Sequence, residues 1–130
     1  MQRSIQAGIA ARIGKYSDAV EVTDSQGMRT LYVSGTPGLD AQTGHVPEDF
    51  AAQADLAWRN LEAILAAADM SVDDIVKLTV YVKDDTVRDA VNTEWLECFP
   101  DPPDRPARHI LVVDLKHGMW LQLEVTAVTS

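Results

Sequence analysis

The chain has few of the residues that form most metal and covalent sites. Among its 130 residues there is one cysteine, Cys98, so no internal disulfide can form. Its three histidines, His45, His109 and His117, lie in different segments without the spacing of metal ligands. We therefore expect no metal site, interpret His109 as structural, and interpret Cys98 as a small hydrophobic side chain buried near a helix end.

Basic residues are also scarce. The chain carries 11 lysines and arginines against 20 acidic residues, a net charge of -9, and the basic residues form no cluster or stripe. Nucleic-acid binding depends on clustered positive charge, so we expect no nucleic-acid partner. An anionic substrate would need a positive charge supplied locally by its site.

Long apolar runs and glycine-rich loops are absent as well. No run approaches the ~18 residues of a membrane span, and residues 1–13 do not resemble a signal peptide. The sequence contains neither a Gly-x-Ser-x-Gly elbow nor a phosphate-binding loop, since residues 35–38 are too short and lack a following lysine. We expect one domain spanning residues 1–130, located in the cytoplasm and without a membrane partner.

Apolar periodicity predicts five strands and two helices in the order β-β-α-β-α-β-β, while residues 1–18 are weakly patterned. The predicted strands lie near 19–23, 29–34, 76–83, 107–113 and 119–128, and the predicted helices near 50–68 and 84–99. Turn residues at 24–27 and 116–118 predict a hairpin at each end of the chain. The predicted fold is α+β, a mixed β-sheet of five to six strands with two helices packed on one face.

Strand alternation separates a core face from a mixed face. The side chains expected in the core are Val76, Leu78, Val80, Val82, Val87, Ala90, Val91, Trp95, Met119, Leu121, Leu123, Val125 and Ala127, with Phe99 a further candidate at the end of the second helix. The opposite sheet face carries Thr79, Tyr81, Trp120, Gln122 and Glu124. Such a face is too polar for a core and too aromatic for bare solvent, so we expect an oligomer with sites where subunits meet.

Arg108 and Glu124 are the best candidates for chemistry. Arg108 opens an apolar strand after a proline-rich loop, and its planar guanidinium can hold a carboxylate through two parallel hydrogen bonds. Glu124 lies in a strand almost free of other charges, where a carboxylate is costly unless paired and is suited to general acid–base catalysis. The residues alone leave two structural alternatives open: Arg108 forms a salt bridge with a nearby acid, or Arg108 and Glu124 pair with each other.

Several motifs in one order resemble the reactive intermediate deaminase family, also called Rid or YjgF-type. The main ones are Pro-Ala-Arg at 106–108 before an apolar strand and Leu-Glu-Val-Thr-Ala-Val at 123–128. Weaker ones are Gly-Lys-Tyr-Ser at 14–17, Ser-Gly at 34–35, Thr-Gly at 43–44, the strand at 74–82 and Val-Asn at 91–92. Each motif alone is weak, but together they cover nearly the whole chain.

The resemblance implies a chorismate-mutase-like fold and a homotrimer with active sites between subunits. It also implies hydrolysis of reactive enamines and imines, such as 2-aminoacrylate, to 2-keto acids and ammonia without a cofactor, as in a 2-iminobutanoate/2-iminopropanoate deaminase. Carried over by motif, Arg108 binds the substrate carboxylate, Glu124 positions or activates water, Tyr16 lines the pocket and the backbone of Gly35 contacts substrate.

The chain departs from the family pattern near these residues. Lys15 replaces a usual proline, His109 follows the Pro-Ala-Arg motif where a small residue is common, and Ile110 offers no thiol or hydroxyl. These departures leave Arg108 and Glu124 in place and point to a branch acting on a different imine or enamine acid.

Two functions follow from this pattern. The first is an enamine or imine deaminase that depends on Arg108 and Glu124. The alternative is a non-catalytic, regulatory trimer in which Arg108 binds a small carboxylic acid that is not turned over. A ribonuclease or chaperone role receives little support from a net charge of -9.

Overall fold

A computed structural model describes residues 1–130 and contains seven strands and two helices. The elements are β1 Gln2–Ile5, β2 Ala19–Thr23, β3 Arg29–Val33, β4 Thr36–Pro37, α1 Phe50–Ala67, β5 Ile75–Val82, α2 Arg88–Cys98, β6 Ala107–Val112 and β7 Leu121–Thr129. Single 3-10 turns occupy Ala10–Arg12, Val72–Asp74, Asp85–Val87 and Pro102–Asp104.

All seven strands belong to one sheet in the order β1-β2-β3-β7-β5-β6, with the two residues of β4 paired to β7. Only β5 and β6 are parallel, and α2 provides the crossover that a parallel pair requires. The predicted α+β class and mixed sheet are confirmed. The sheet also contains two short strands, β1 and β4, that the sequence pattern did not predict.

Helix α1 follows its predicted boundaries closely. The Asp49 side chain caps its start by accepting from the Ala52 N–H at 3.2 Å. The helix buries one face, including Leu61, Ile64 and Leu65, against the sheet. After its last turn, Asp69 adopts φ 55°, the left-handed conformation expected of a helix end without glycine. Neither helix is long and apolar enough to cross a membrane.

The core lies between the two helices and one face of the sheet. In β7 the residues Leu121, Leu123, Val125 and Ala127 are at most 2% exposed, as their alternation predicts. The other sheet face has no covering helix. Tyr32 on this open face is 54% exposed, so the chain alone leaves a partly apolar surface in solvent.

The N-terminal segment is better ordered than its sequence pattern indicates. Strand β1 pairs antiparallel with β2 along its whole length. The buried Asp18 carboxylate then accepts backbone N–H groups from Ala7 and Ala10, at 2.6 and 2.5 Å. These hydrogen bonds compensate for the cost of burying the Asp18 charge. They join Asp18 to the backbone of an earlier turn, which the periodicity of apolar residues does not report.

The predicted hairpin between the last two strands is wrong. Strand β7 pairs with β5, not with β6, so β5 lies between the two strands expected to be neighbours. The chain does reverse where predicted, and His117 and Gly118 both adopt positive φ there. The connection from Val112 to Leu121 is long enough to step over one strand, which a tight two-residue turn is not.

Three predicted core positions are also wrong. The β5 register skips between Ile75 and Lys77, so Ile75 enters the core and Val76 is left 48% exposed. Ala90 lies on the exposed side of α2, and Cys98 is exposed at the end of that helix. Phe99, the further core candidate at this helix end, is buried.

Candidate functional site

Arg108 is held in place by the helix that precedes its strand. Its Nη1 donates to the Asn92 side-chain oxygen at 2.8 Å, and its guanidinium carbon lies 5.0 Å from the centre of the Trp95 ring. Asn92 and Trp95 are three residues apart on α2 and therefore share one face of it. The parallel crossover brings that face directly onto the start of β6.

This arrangement leaves part of the guanidinium free. Nε and Nη2 of Arg108 donate to no group of the chain, and together they form one edge of the planar fork. Burial lowers the pKa of Arg108, and the neighbouring Arg88 charge lowers it further. Arginine starts from such a high value that it remains a cation at neutral pH. A fixed, partly desolvated cation with a free edge is suited to a planar carboxylate.

A narrow cavity lies beside Arg108 under α2. Its walls include Trp58, Trp95 and Glu94 together with core residues of β5 and β7. Burial raises the pKa of Glu94, and the Asp55 and Glu97 charges raise it further, although Trp58 opposes the shift. Glu94 forms no ion pair with Arg108, so the positive charge of Arg108 is not neutralised by this carboxyl.

Glu124 lies on the other face of the sheet. In cross-strand register Arg108 is opposite Leu78, whereas Glu124 is opposite Thr79. Leu78 and Thr79 are consecutive, so their side chains point to opposite faces, as do the side chains in register with them. The predicted site residues Arg108 and Glu124 are therefore not brought together within one chain.

The Glu124 carboxylate is exposed and has one tyrosine partner. The Tyr81 hydroxyl donates to Glu124 Oε1 at 3.3 Å. Burial raises the pKa of Tyr81, and the charge of Glu124 and its hydrogen bond raise it further. The phenol therefore stays protonated and donating at neutral pH, while the other carboxylate oxygen is free to hold a water molecule.

The other two predicted site residues lie in loops. The Tyr16 ring covers Gly14, where an added Cβ would come within 2.6 Å of it, and half of the ring remains exposed. Burial raises the pKa of Tyr16, and Asp18 adds to the effect. Gly35 lies beside Gln122, whose Oε1 would be 2.6 Å from an added Cβ. Gln122 shares the face of Glu124, so the structure brings Gly35 to the open face.

Within one chain, neither structural alternative for Arg108 is found. The four ion pairs are Arg3–Glu21, Arg29–Glu21, Arg59–Asp55 and Arg88–Asp85. Arg108 therefore has no carboxylate partner, and its pairing with Glu124 is prevented by the sheet between them. His109 lies on the sheet face opposite Arg108, since it is in register with Thr79.

Sequence reasoning missed the partners of the two charged residues. In the sequence, Asn92 stands out only as part of the Val-Asn motif, and Trp95 only as an expected core residue. Their spacing of three on the helix leading into Arg108 was the available signal. Tyr81 and Gln122 had a weaker signal, since alternation places them on the face of Glu124 without giving the cross-strand register.

Comparison with known proteins agrees with this fold over nearly its full length. The profile of the family described as endoribonuclease L-PSP matches residues 7–129. The RutC family protein UK114 of Drosophila melanogaster is 40% identical over 126 residues, covering 95% of this chain and 86% of that protein. The 2-iminobutanoate/2-iminopropanoate deaminase of Escherichia coli is 35% identical over 120 residues, covering 91% of this chain and 90% of that protein.

A solved structure gives the same result. RidA from the Antarctic bacterium Psychrobacter sp. PAMC 21119 superimposes with a TM-score of 0.85 at 32% identity, covering 98% of this chain and 99% of that one. The profile match, the identities and the superposition all extend over nearly the whole chain. The chain therefore belongs to the endoribonuclease L-PSP family, the Rid or YjgF-type family that its motifs resemble.

Proposed function

We propose that the chain is a deaminase that hydrolyses reactive enamines and imines of small carboxylic acids to 2-keto acids and ammonia. The observation that carries the proposal is Arg108, a fixed cation with no carboxylate partner and a free guanidinium edge. Relatives named as a 2-iminobutanoate/2-iminopropanoate deaminase and a putative reactive intermediate deaminase, both in Escherichia coli, support the reaction class.

The reaction requires little beyond placement. An imine carbon is already electrophilic, so the chain must orient the substrate and a water molecule and provide a proton for the departing amine. Arg108 would hold the substrate carboxylate, and Glu124 would accept a hydrogen bond from the attacking water and take up its proton. An enamine such as 2-aminoacrylate first tautomerises to the imine, its methylene carbon gaining a proton while its nitrogen loses one. The water oxygen then adds to the C=N carbon, the nitrogen is protonated, and ammonia leaves as the carbonyl forms. No cofactor takes part in this scheme.

The two faces of the sheet determine how such a site is assembled. Since Arg108 and Glu124 lie on opposite faces, the scheme needs Arg108 of one chain to approach Glu124 of another. Arg108 lies on β6, the edge strand of the sheet, and the open face carries exposed apolar side chains. A homotrimer with sites between subunits meets this need, with Tyr16 and the backbone of Gly35 completing the pocket.

Turnover of 2-aminoacrylate tests the proposal. The compound is generated in place by a serine or threonine dehydratase, and keto acid release is followed with and without the purified chain. We expect the chain to accelerate release in proportion to its concentration. If neither 2-aminoacrylate nor longer-chain imines are hydrolysed faster, while a carboxylate ligand still binds at Arg108, the chain is a non-catalytic carboxylate-binding protein.

A further inference from the structure

A second concave region lies away from the four predicted site residues. The 3-10 turn ending at Arg12, the loop around His45 and the turn at His117 meet around an open pocket of about 420 Å³. Its apolar walls include Leu39, Val46 and Met119. This volume lies within the range of small-molecule sites, and the pocket shares no lining residue with the cavity beside Arg108.

This pocket is lined by basic side chains, although the chain as a whole is acidic. Arg12, His45 and His117 all line it, and no aspartate or glutamate does. The chain as a whole has 20 acidic residues and a net charge of -9. Three separate segments thus bring basic side chains together in a chain with an acidic surface, so the pocket locally favours an anion.

The Arg12 guanidinium is fixed by backbone groups rather than by an acid. Its Nε donates to the Ala41 carbonyl at 3.1 Å, and its Nη2 donates to the Gln42 carbonyl. Neither contact neutralises the positive charge, Arg12 takes part in none of the four ion pairs, and Nη1 donates to no group of the chain. A cation held in this way loses little freedom when it binds an anion.

Two backbone positions on the pocket wall adopt positive φ. Gly44 has φ 79°, and an added Cβ there would lie 3.9 Å from Arg12 Nη1. His117 lies on the pocket wall with φ 62°, in the left-handed region that histidine, like asparagine and aspartate, adopts more often than most residues.

We propose that Arg12, His45 and His117 form a binding site for a small molecule bearing a phosphate or carboxylate group. The guanidinium and the two imidazoles donate hydrogen bonds to its oxygens, and the apolar wall contacts the remainder of the molecule. This site is separate from the proposed deaminase site and does not depend on that function.

The three histidines of the chain provide a built-in comparison. We would follow the imidazole C–H signals by NMR while adding inorganic phosphate, and in a second arm succinate, at constant pH and ionic strength. The signals of His45 and His117 should shift and saturate, while that of His109 on the open face stays in place. The arm with the lower Kd identifies the preferred anion. Equal shifts of all three signals, or no saturation in either arm, would overturn the proposal.

Variants make the test independent of the spectra. The double substitution His45→Gln with His117→Asn keeps polar side chains, and asparagine tolerates the left-handed backbone at position 117. It should raise the Kd of the preferred anion about tenfold or more, as expected for the loss of charge-assisted hydrogen bonds. His109→Gln should leave the Kd unchanged. A double variant with the wild-type melting temperature and wild-type Kd would exclude the site.

Discussion

Arg108 and Glu124 differ in their surroundings as much as in their charge. Arg108 lies against a helix that fixes it with one hydrogen bond and one aromatic ring. Glu124 lies on an open sheet face with a single tyrosine partner at 3.3 Å. The first residue is positioned by two contacts with its own chain, whereas the carboxylate of the second is oriented by one hydrogen bond alone. One chain therefore positions Arg108 for the proposed site but leaves Glu124 less firmly positioned.

The largest expected effect on activity comes from removing the Arg108 guanidinium. Arg108→Ala should lower kcat/KM for 2-aminoacrylate by about 10³-fold, because two charge-assisted hydrogen bonds to the substrate are lost. Steady-state keto acid release measures the effect. Arg108→Lys provides the matched control, since it keeps the charge and loses the fork, and it should recover only part of the rate. Full activity of Arg108→Ala would remove this residue from the mechanism.

Glu124→Gln tests the role of the Glu124 carboxylate in accepting a proton. The amide keeps an oxygen that can accept from Tyr81 but cannot take up a proton, so kcat should fall by about 10²-fold. KM should change little, because the substrate carboxylate is held elsewhere. Separate measurement of kcat and KM distinguishes this result from that of Arg108→Ala. A rise in KM without loss of kcat would show that Glu124 binds substrate instead of handling water.

The contacts between α2 and Arg108 explain why its position is expected to be fixed. Asn92→Ala removes the hydrogen bond to Nη1 and should raise KM about tenfold, since hydrogen bonds to charged groups are among the stronger ones. Trp95→Leu removes the ring beneath the guanidinium and should raise KM a few-fold, while Trp95→Phe should retain most of the affinity. The KM values are the measurement, with kcat as the reference. Unchanged KM in both variants would mean that Arg108 positions itself without the helix.

Tyr81→Phe should have the smallest effect, about threefold on kcat, because one neutral hydrogen bond to Glu124 is lost. Its effect on stability depends on pH. The pKa of Tyr81 is raised in the folded chain, so the stability from its bond is fully present below the unfolded value near 10 and is lost as pH rises through the folded value. The advantage of wild type over the variant in unfolding free energy should therefore be largest at neutral pH and decrease at alkaline pH. An advantage of wild type that increases above pH 10 would contradict this assignment.

Much of the fold could be predicted from the sequence because alternation and helical spacing report burial directly. Helix α1 and the buried face of β7 match their patterns almost residue by residue. The pattern failed where burial depends on strand order, since nothing local shows that β5 lies between β6 and β7. It failed again at Val76, where a skipped register moves a valine out of the core.

The candidate site could be predicted only in part for the same physical reason. Arg108 and Glu124 stand out because isolated charges in apolar strands are costly. The sheet face on which each lies depends on the register of the strands. Arg108 of β6 pairs with Leu78 of β5, and Glu124 of β7 pairs with Thr79 of β5. The supporting residues Asn92 and Trp95 appear only once the crossover is known, since a helix pattern distinguishes buried from exposed sides but not which neighbour the buried side meets.

The short chain distance between Arg108 and its hydrogen-bond partner bears on the order in which the molecule folds. Asn92 and Arg108 are 16 positions apart, whereas Tyr81 and Glu124 are 43 apart. Closing the longer loop costs about 0.9 kcal/mol more in chain entropy. The β5–α2–β6 unit is therefore able to form before β7 inserts beside it. Hydrogen exchange during refolding should show protection in β6 before β7, so that the arginine is already anchored when the strand carrying the glutamate joins the sheet.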